Sequence, residues 1–373
     1  MPWREVSIME QRREFVMLAS LEGANISELS RRFGISRQTG YKWLKRFASG
    51  DRDLADRSRR PLRQPGRTVD AVEAAVLAVR DAHPAWGARK IAACLKREGA
   101  LPPAPSTVQA ILQRHGRIVA DARVSRCYER FERPAANLLW QMDFKGRVRI
   151  GGGGWCHPLT VLDDHSRYAL CLRACGNERG ETVQPALAAT FGRYGLPDAL
   201  YLDNGAPWGG GLPGQWTRLG VWLLKLSIQV IHGRPYHPQG RGKIERFHRS
   251  LKAEVFAAPP FADLGQVQRR FDQWRGIYNR QRPHEALDMA VPASRYRTSH
   301  RPMPETVPEI NYDSTEIVRR VGTTKAYISF KNRMWKVPQA FRGEPVALRP
   351  QQTDGCYGVF FGATRIANID LKT

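Results

Sequence analysis

The sequence predicts a multidomain protein with two N-terminal all-α helix-turn-helix domains, a layered α/β core and a small C-terminal β-barrel of SH3 type. Three observations carry this. The first 117 residues hold two sets of short, capped helical patterns; residues 138–300 alternate strand and helix patterns; and the last 60 or so are short strands separated by turn residues. The corresponding boundaries are 1–50, 51–68 (linker), 69–117, 118–137 (connector), 138–300 and 301–373.

In the first set, residues 11–21 have helical spacing with Phe15 and Leu18 inward. Ser27 caps ISELSRRF, which ends at Gly34, and Ser36 caps SRQTGYKWLKRF, where Tyr41, Leu44 and Phe47 are available for packing. Two helices joined by a short turn form a helix-turn-helix. Its second helix would meet the DNA major groove with Arg37, Gln38 and Lys42. Arginine can fork onto guanine and glutamine onto adenine. An ordinary three-helix bundle with a polar surface is the alternative.

The basic linker has no periodicity. Its Arg59, Arg60 and Arg63 can follow phosphates or enter a minor groove, unless it is simply a solvated tether. In the second set, Pro105 suits a first helical turn and Gly116 a helix end. Ser106, Thr107 and Gln109 are its groove-facing candidates.

The α/β core has strand patterns at 139–149, 155–163, 167–174, 198–202 and 227–231, and helix patterns at 180–194, 214–224, 242–256 and 262–280. Beyond the prolines at 302, 304 and 308, YISFKNRMWKVP reads as two strands with a hairpin turn at Lys331-Asn332-Arg333.

Three acidic residues stand out in the core. Asp143 lies inside the first strand pattern and Asp203 at the exit of a later one, where Asn204-Gly205 supplies a turn. Glu245 lies near the start of a helix whose Ile244, Phe247, Leu251 and Val255 make one apolar face. Lys243, Arg246, Arg249 and Lys252 surround it with positive charge. Alone, this is an amphipathic helix with solvated charges. Together with carboxylates on two strands, it is how a fold gathers hard oxygen ligands for Mg²⁺. Two such ions can clamp the attacking and leaving oxygens of a phosphoryl displacement. Asp163-Asp164 reads as a strand end and turn. Without a CxxC pair, the six cysteines do not suggest a zinc site.

Asp143, Asp203 and Glu245, with YHPQGRGKIERFHRSLKAE and YNRQRPHEALDMAVP, resemble the DDE transposases and retroviral-type integrases, most nearly the bacterial insertion-sequence transposases of the IS481 group. The likeness covers nearly the whole chain. One departure is the spacing: Asp203 and Glu245 are 42 positions apart (245 − 203), longer than is usual in the family, with APWGGGLPGQW as the site of the excess.

The resemblance implies a ribonuclease-H-like core in which Asp143, Asp203 and Glu245 are catalytic and hold two Mg²⁺ ions, with Mn²⁺ as a substitute. It further implies binding to terminal inverted repeats, cleavage of element ends, joining of the 3′-hydroxyls to target DNA, and a homodimer or higher oligomer on double-stranded DNA. Lys243 and Arg249 would offset charge at the phosphorus, and His237 would touch DNA.

Charge agrees with a polyanionic partner. With 59 Lys and Arg against 35 Asp and Glu, the net charge is +24, spread along the chain. No apolar stretch reaches the length of a membrane span, so a cytoplasmic, nucleoid-associated bacterial protein without a membrane partner is expected. Two alternatives stay open: a transposase-derived sequence-specific DNA-binding protein without catalysis, and a charge-driven nucleic-acid-packing protein.

Overall fold

The computed structural model describes residues 7–58, 68–118, 132–205, 207–209, 215–233, 242–257 and 261–372. They fall in two compact units, Met1–Arg67 and Thr68–Thr373.

The first unit is a trio of helices, α1 (Ile8–Ala19), α2 (Ile26–Arg32) and α3 (Arg37–Ala48). Ser7 and Glu10 form a capping box that starts α1 three residues earlier than the apolar pattern predicts. Asn25 replaces Ser27 as the cap of α2, its side chain accepting from the Ser27 and Glu28 amides, while Ser36 caps α3 as expected. Phe15, Val16, Trp43 and Leu54 form the core. Gly40 lets α3 cross close to α1, since a Cβ there would come 2.7 Å from Phe15 Cζ. Positions 40, 43, 44 and 47 therefore face inward, and Tyr41, expected to pack, is 58% exposed. Arg12 and Arg46 lie 4.0 and 4.7 Å from the Trp43 ring. The start of the linker folds back here: Leu54 is buried and its carbonyl accepts from Arg12.

The second unit opens with α4 (Asp70–Ala82), α5 (Ala88–Arg97) and α6 (Pro105–Arg114), with Pro105 at the first helical position as expected. Val76, Trp86, Ile91, Leu95, Val108, Ile111 and Leu112 fill their core. Buried Glu73 binds Arg114 at 2.5 Å and His115 at 3.1 Å, tying α4 to the end of α6.

The central sheet holds β1 (Trp140–Phe144), β2 (Val148–Arg149), β3 (Trp155–Asp163), β4 (Ala169–Cys175), β5 (Ala199–Leu202) and β6 (Gln229–His232). β4, β3 and β1 are antiparallel neighbours; β1, β5 and β6 run parallel, and β2 pairs with the start of β3. The helices α7 (Gly180–Tyr194), α8 (Arg218–Lys225), α9 (Gly242–Glu254) and α10 (Leu264–Arg280) cover it, and the short α11 (Pro292–Arg295) follows.

Pleating sorts the two faces. Trp140, Met142, Leu200 and Leu202 pack with Val183, Leu187 and Phe191 of α7 and Leu219 and Leu223 of α8. Leu162, Ala169 and Leu172 pack with Phe247 and Leu251 of α9 and Phe271 and Trp274 of α10.

The C-terminal part has β7 (Ile317–Arg320), β8 (Tyr327–Phe330), β9 (Arg333–Lys336), β10 (Pro345–Pro350), β11 (Cys356–Phe361) and β12 (Thr364–Asp370). The β8–β9 hairpin turns at Lys331 and Asn332, both at positive φ, as the sequence predicts. The expected closed SH3-type barrel is not formed. An open sheet β12-β11-β10-β7 and the separate hairpin share one core, because the opening is filled from outside by α8. Val221 lies in that core with Trp216 and Leu224 packed against it, the Trp216 ring is 5.5 Å from Phe341, and Lys225 meets Glu344 at 2.8 Å.

Candidate active site

The parallel pairing of β1 with β5 places two of the acids at the same end of the sheet. β1 pairs with β5 at Trp140↔Leu200 and Gln141↔Tyr201; Asp143 comes two residues later on β1, and Asp203 directly follows the end of β5 at Leu202. Since Trp140 and Met142 pack toward α7 and α8, alternation turns Asp143 toward α9, while Asp203 stands at the C-terminal end of parallel β5. Both are half-buried. Beneath Asp203, its carbonyl meets His232 Nδ1 at 3.0 Å, and Asn204 donates to the Gly233 carbonyl at 2.7 Å, tying the exits of β5 and β6 together. The loop after Asp203 is anchored by buried Trp208, whose ring stacks on Phe144 at 5.6 Å.

Glu245 is in the first turn of α9 and exposed, while Ile244, Phe247 and Leu251 are buried against the sheet and α10. One turn on, His248 makes the link between α9 and β1. Its Nε2 lies 2.8 Å from Thr160 Oγ1, which donates to the Asp143 carbonyl at 2.8 Å, and its Nδ1 is 3.9 Å from Asp143 Oδ2. With the threonine proton directed to Asp143, its oxygen accepts from His248. His248 is not among the candidates that the sequence offers. The available signal was its spacing, since three residues after Glu245 is the same helix face.

Glu254, the other acid of α9, is engaged elsewhere: Trp274 Nε1 donates to it at 2.8 Å and Arg282 Nε at 3.0 Å. Asp163 and Asp164 are fully buried where β3 ends. Asp163 accepts from the Asn137 amide and from both the amide and hydroxyl of Ser166; burial raises its pKa, against those bonds. Asp164 accepts from Gln141 and the Arg133 amide. Lys243, expected at DNA, places its ammonium 2.6 Å from Asp164 Oδ1 with only 14% of the side chain exposed. Burial is the largest influence on it and brings its pKa down to about 8, with the Asp164 hydrogen bond opposing. The structure thus gives Lys243 a bracing position at the start of α9. Arg249 remains exposed.

Among the described residues, no three His, Cys, Asp or Glu side chains are gathered as a ready metal cage. Asp143 lies on β1, Asp203 directly follows its parallel neighbour β5, and Glu245 is exposed in the first turn of α9. These are hard oxygen donors at a partly open edge, which fits Mg²⁺, an ion that takes one or two carboxylates and leaves further positions to water and phosphate.

On the helix-turn-helix parts, Arg37, Gln38 and Lys42 are exposed at the start of α3. Ser106 is exposed and Thr107 and Gln109 half-buried at the start of α6. Arg59, Arg60, Arg63 and His237 lie outside the described residues. No helix among the described residues is long and apolar enough to cross a membrane.

Comparison with known families gives five matches along the chain: a helix-turn-helix domain at 11–61, a homeodomain-like domain at 39–112, integrase core domains at 133–238 and 226–292, and an IS481 family transposase C-terminal domain at 316–373. An uncharacterised protein of insertion element IS407 from Burkholderia multivorans is 30% identical over 167 residues, 45% of this chain and 57% of that one. The Gag-Pro-Pol polyprotein of Mason-Pfizer monkey virus is 32% identical over 120 residues, 32% of this chain and 6% of the polyprotein. The chain thus spans little more than half of the first relative and a small part of the second. Among solved structures, a chain of the simian T-cell lymphotropic virus intasome, determined with PP2A regulatory subunit B56 gamma, aligns over 80% of this chain and 96% of its own, at 14% identity and a TM-score of 0.40.

Proposed function

We propose that this chain, a member of the IS481 group of insertion-sequence transposases with an integrase core, binds the terminal inverted repeats of its element, cleaves the ends and joins the 3′-hydroxyls to target DNA. The observation that supports the reading is the placement of the acids: Asp143 on β1, Asp203 directly after the parallel neighbour β5, and Glu245 on α9 three residues before His248, which Thr160 links to Asp143.

In this reading Asp143, Asp203 and Glu245 hold two Mg²⁺ ions, for which Mn²⁺ can substitute. When bound, such ions lower the pKa of a water and neutralise charge on the phosphoryl oxygens. The chain's own residues set the stage for this. Asp143 offers its carboxylate from a sheet strand and Asp203 from the turn that directly follows one, so both rest on rigid elements. Glu245 closes the site from a helix pinned at one end by Lys243–Asp164 and at the middle by His248–Thr160. Arg249 lies exposed on the same helix, available to a phosphate. Arg37, Gln38, Lys42, Ser106, Thr107 and Gln109 read the element end, while Arg59, Arg60, Arg63 and His237 supply sequence-independent contacts. Joining two ends calls for a site and a set of binding domains at each, hence two or more copies on DNA.

The test is strand nicking and joining on end DNA with Mg²⁺. Asp143→Asn, Asp203→Asn and Glu245→Gln each keep shape and remove one charge; each should lower nicking by about 10²-fold or more, the scale of losing one preorganised electrostatic contact, with end binding kept. His248→Ala should also lower nicking, and His248→Asn, which keeps an N–H donor, should recover part of it. Normal nicking by Glu245→Gln would remove the assignment of the third acid. Sequence-specific binding by the unmodified chain with no metal-dependent nicking would favour a binding protein without catalysis.

A further inference from the structure

The second helix-turn-helix does not hang from the core on its connector alone. Ile277, near the end of α10, packs into the cluster formed by Trp86, Ile91 and Leu95. Arg97 at the end of α5 donates to the Gln281 carbonyl at 2.6 Å, and Arg89 at its start lies 3.7 Å from Glu285. Between them Lys90 sits among Arg282, Glu254 and Glu285, with burial as the main influence lowering its pKa. One whole side of α5 is thereby engaged by α10 and the segment after it.

The chain of contacts continues in both directions. Val108, Ile111 and Leu112 of α6 share a core with Ile91 and Leu95 of α5. On the far side Arg282 donates to Glu254 at 3.0 Å and to Ser250 at 2.8 Å, and Trp274 donates to Glu254 at 2.8 Å, so α10 is bound to the helix that carries Glu245. Apolar packing and charge-assisted hydrogen bonds of this kind hold a fixed geometry where a lone exposed ion pair would not.

We propose that this docked helix-turn-helix is the ruler of the enzyme: α6, held at a set distance from the Asp143–Asp203 edge through α5, α10 and α9, determines which phosphodiester of the element end is cut. The proposal rests on the strand-cleavage reading for its consequence, but its geometry can be tested apart from cleavage. It makes α6 a specificity element that fixes position as well as sequence.

The test uses the full chain and end DNAs in which the bases read by α6 are moved by one base pair, about 3.4 Å, toward or away from the terminus. Those bases are the ones whose substitution no longer weakens binding by Gln109→Ala. Two positions are mapped: the Mg²⁺-dependent nick, and the crosslink from a photoreactive benzoylphenylalanine replacing Lys252, which is exposed on α9. Nick and crosslink should both move one base pair with the α6 bases. A nick and crosslink that stay at the natural terminus would overturn the proposal while leaving cleavage intact. A crosslink that moves without any nick would sink the cleavage reading, and the proposal's consequence with it, while upholding the docked geometry of α6. Finding no bases that lose their effect in Gln109→Ala would also overturn it. In a second arm, Ile277→Arg with Arg97→Ala loosens the docking and should spread the crosslink over several positions with end binding kept; a single unchanged crosslink position would count against the ruler.

Discussion

His284 shows how far burial can govern a single residue. It is nearly inaccessible, its ring meets Tyr278 edge-on at 4.7 Å, and its Nε2 has no hydrogen-bond partner among the described residues. Burial first, then the positive Arg282 and Lys90, bring its pKa down to about 3 from 6.5. Between those values the unfolded chain takes up a proton that the folded chain refuses, so stability falls as pH drops below 6.5 and levels off near 3. From pH 7.5 to 5.5 the loss should be about 1.4 kcal/mol from this group. Urea midpoints at the two pH values should fall further for the unaltered chain than for His284→Gln; an equal fall would show that His284 is not responsible. Lys243 makes a related point: the same basic residue that reads as a phosphate contact in sequence is committed to buried Asp164, because β3 ends where α9 begins.

At the scale of elements, α3 and α9 are both basic amphipathic helices, and their surroundings separate their uses. The packing of Gly40 and Trp43 against α1 turns Arg37, Gln38 and Lys42 outward from the first unit, which suits a groove. The packing of Phe247 and Leu251 against the sheet and α10 turns His248 toward Asp143 and leaves Glu245 exposed in the first turn. If α3 reads bases, Arg37→Ala or Gln38→Ala should cost about 1–3 kcal/mol on element ends and little on random DNA. Competition binding against both DNAs measures this. Equal losses on the two would leave α3 with a backbone-contacting role only.

At the scale of the whole second unit, the C-terminal sheet is built into the core. α8 has two apolar sides: Leu219, Trp222 and Leu223 face the central sheet, while Val221 with Leu224 faces the C-terminal core. Removing 312–373 would expose Val221, Trp216 and Leu224, and one such side chain is worth about 1.5–3 kcal/mol of burial. The truncated chain should melt at a lower temperature and be digested at α8 in limited proteolysis. An unchanged melting temperature of the remaining core would make the C-terminal part a separable arm. The same junction steadies the segment after Asp203, since Thr217, which caps α8, hydrogen-bonds to the Trp208 carbonyl at 3.3 Å.

The sequence by itself determined most of the elements and their order, because caps, turns and apolar periodicity are local, but β7 has no such pattern and the single pattern at 139–149 is two strands, β1 and β2. α7 spans the residues its pattern predicted, the β8–β9 turn falls at Lys331-Asn332, and Asp143 inside one strand and Asp203 at the exit of another follow from strand patterns that the structure pairs in parallel. Cap identity slipped where two polar residues compete, as at Asn25 and Ser27, since either side chain can accept from the first turn. What only the tertiary structure decided are contacts between residues far apart in the chain. The His248–Thr160–Asp143 link joins positions 88 and 17 residues apart, the pairing of Lys243 with Asp164 spans 79, and Arg97 reaches Gln281 across 184. The open C-terminal sheet belongs to the same class: its strands are legible one by one, but whether they close on themselves or onto α8 depends on an apolar face that lies almost a hundred residues upstream in sequence and becomes its neighbour only on folding.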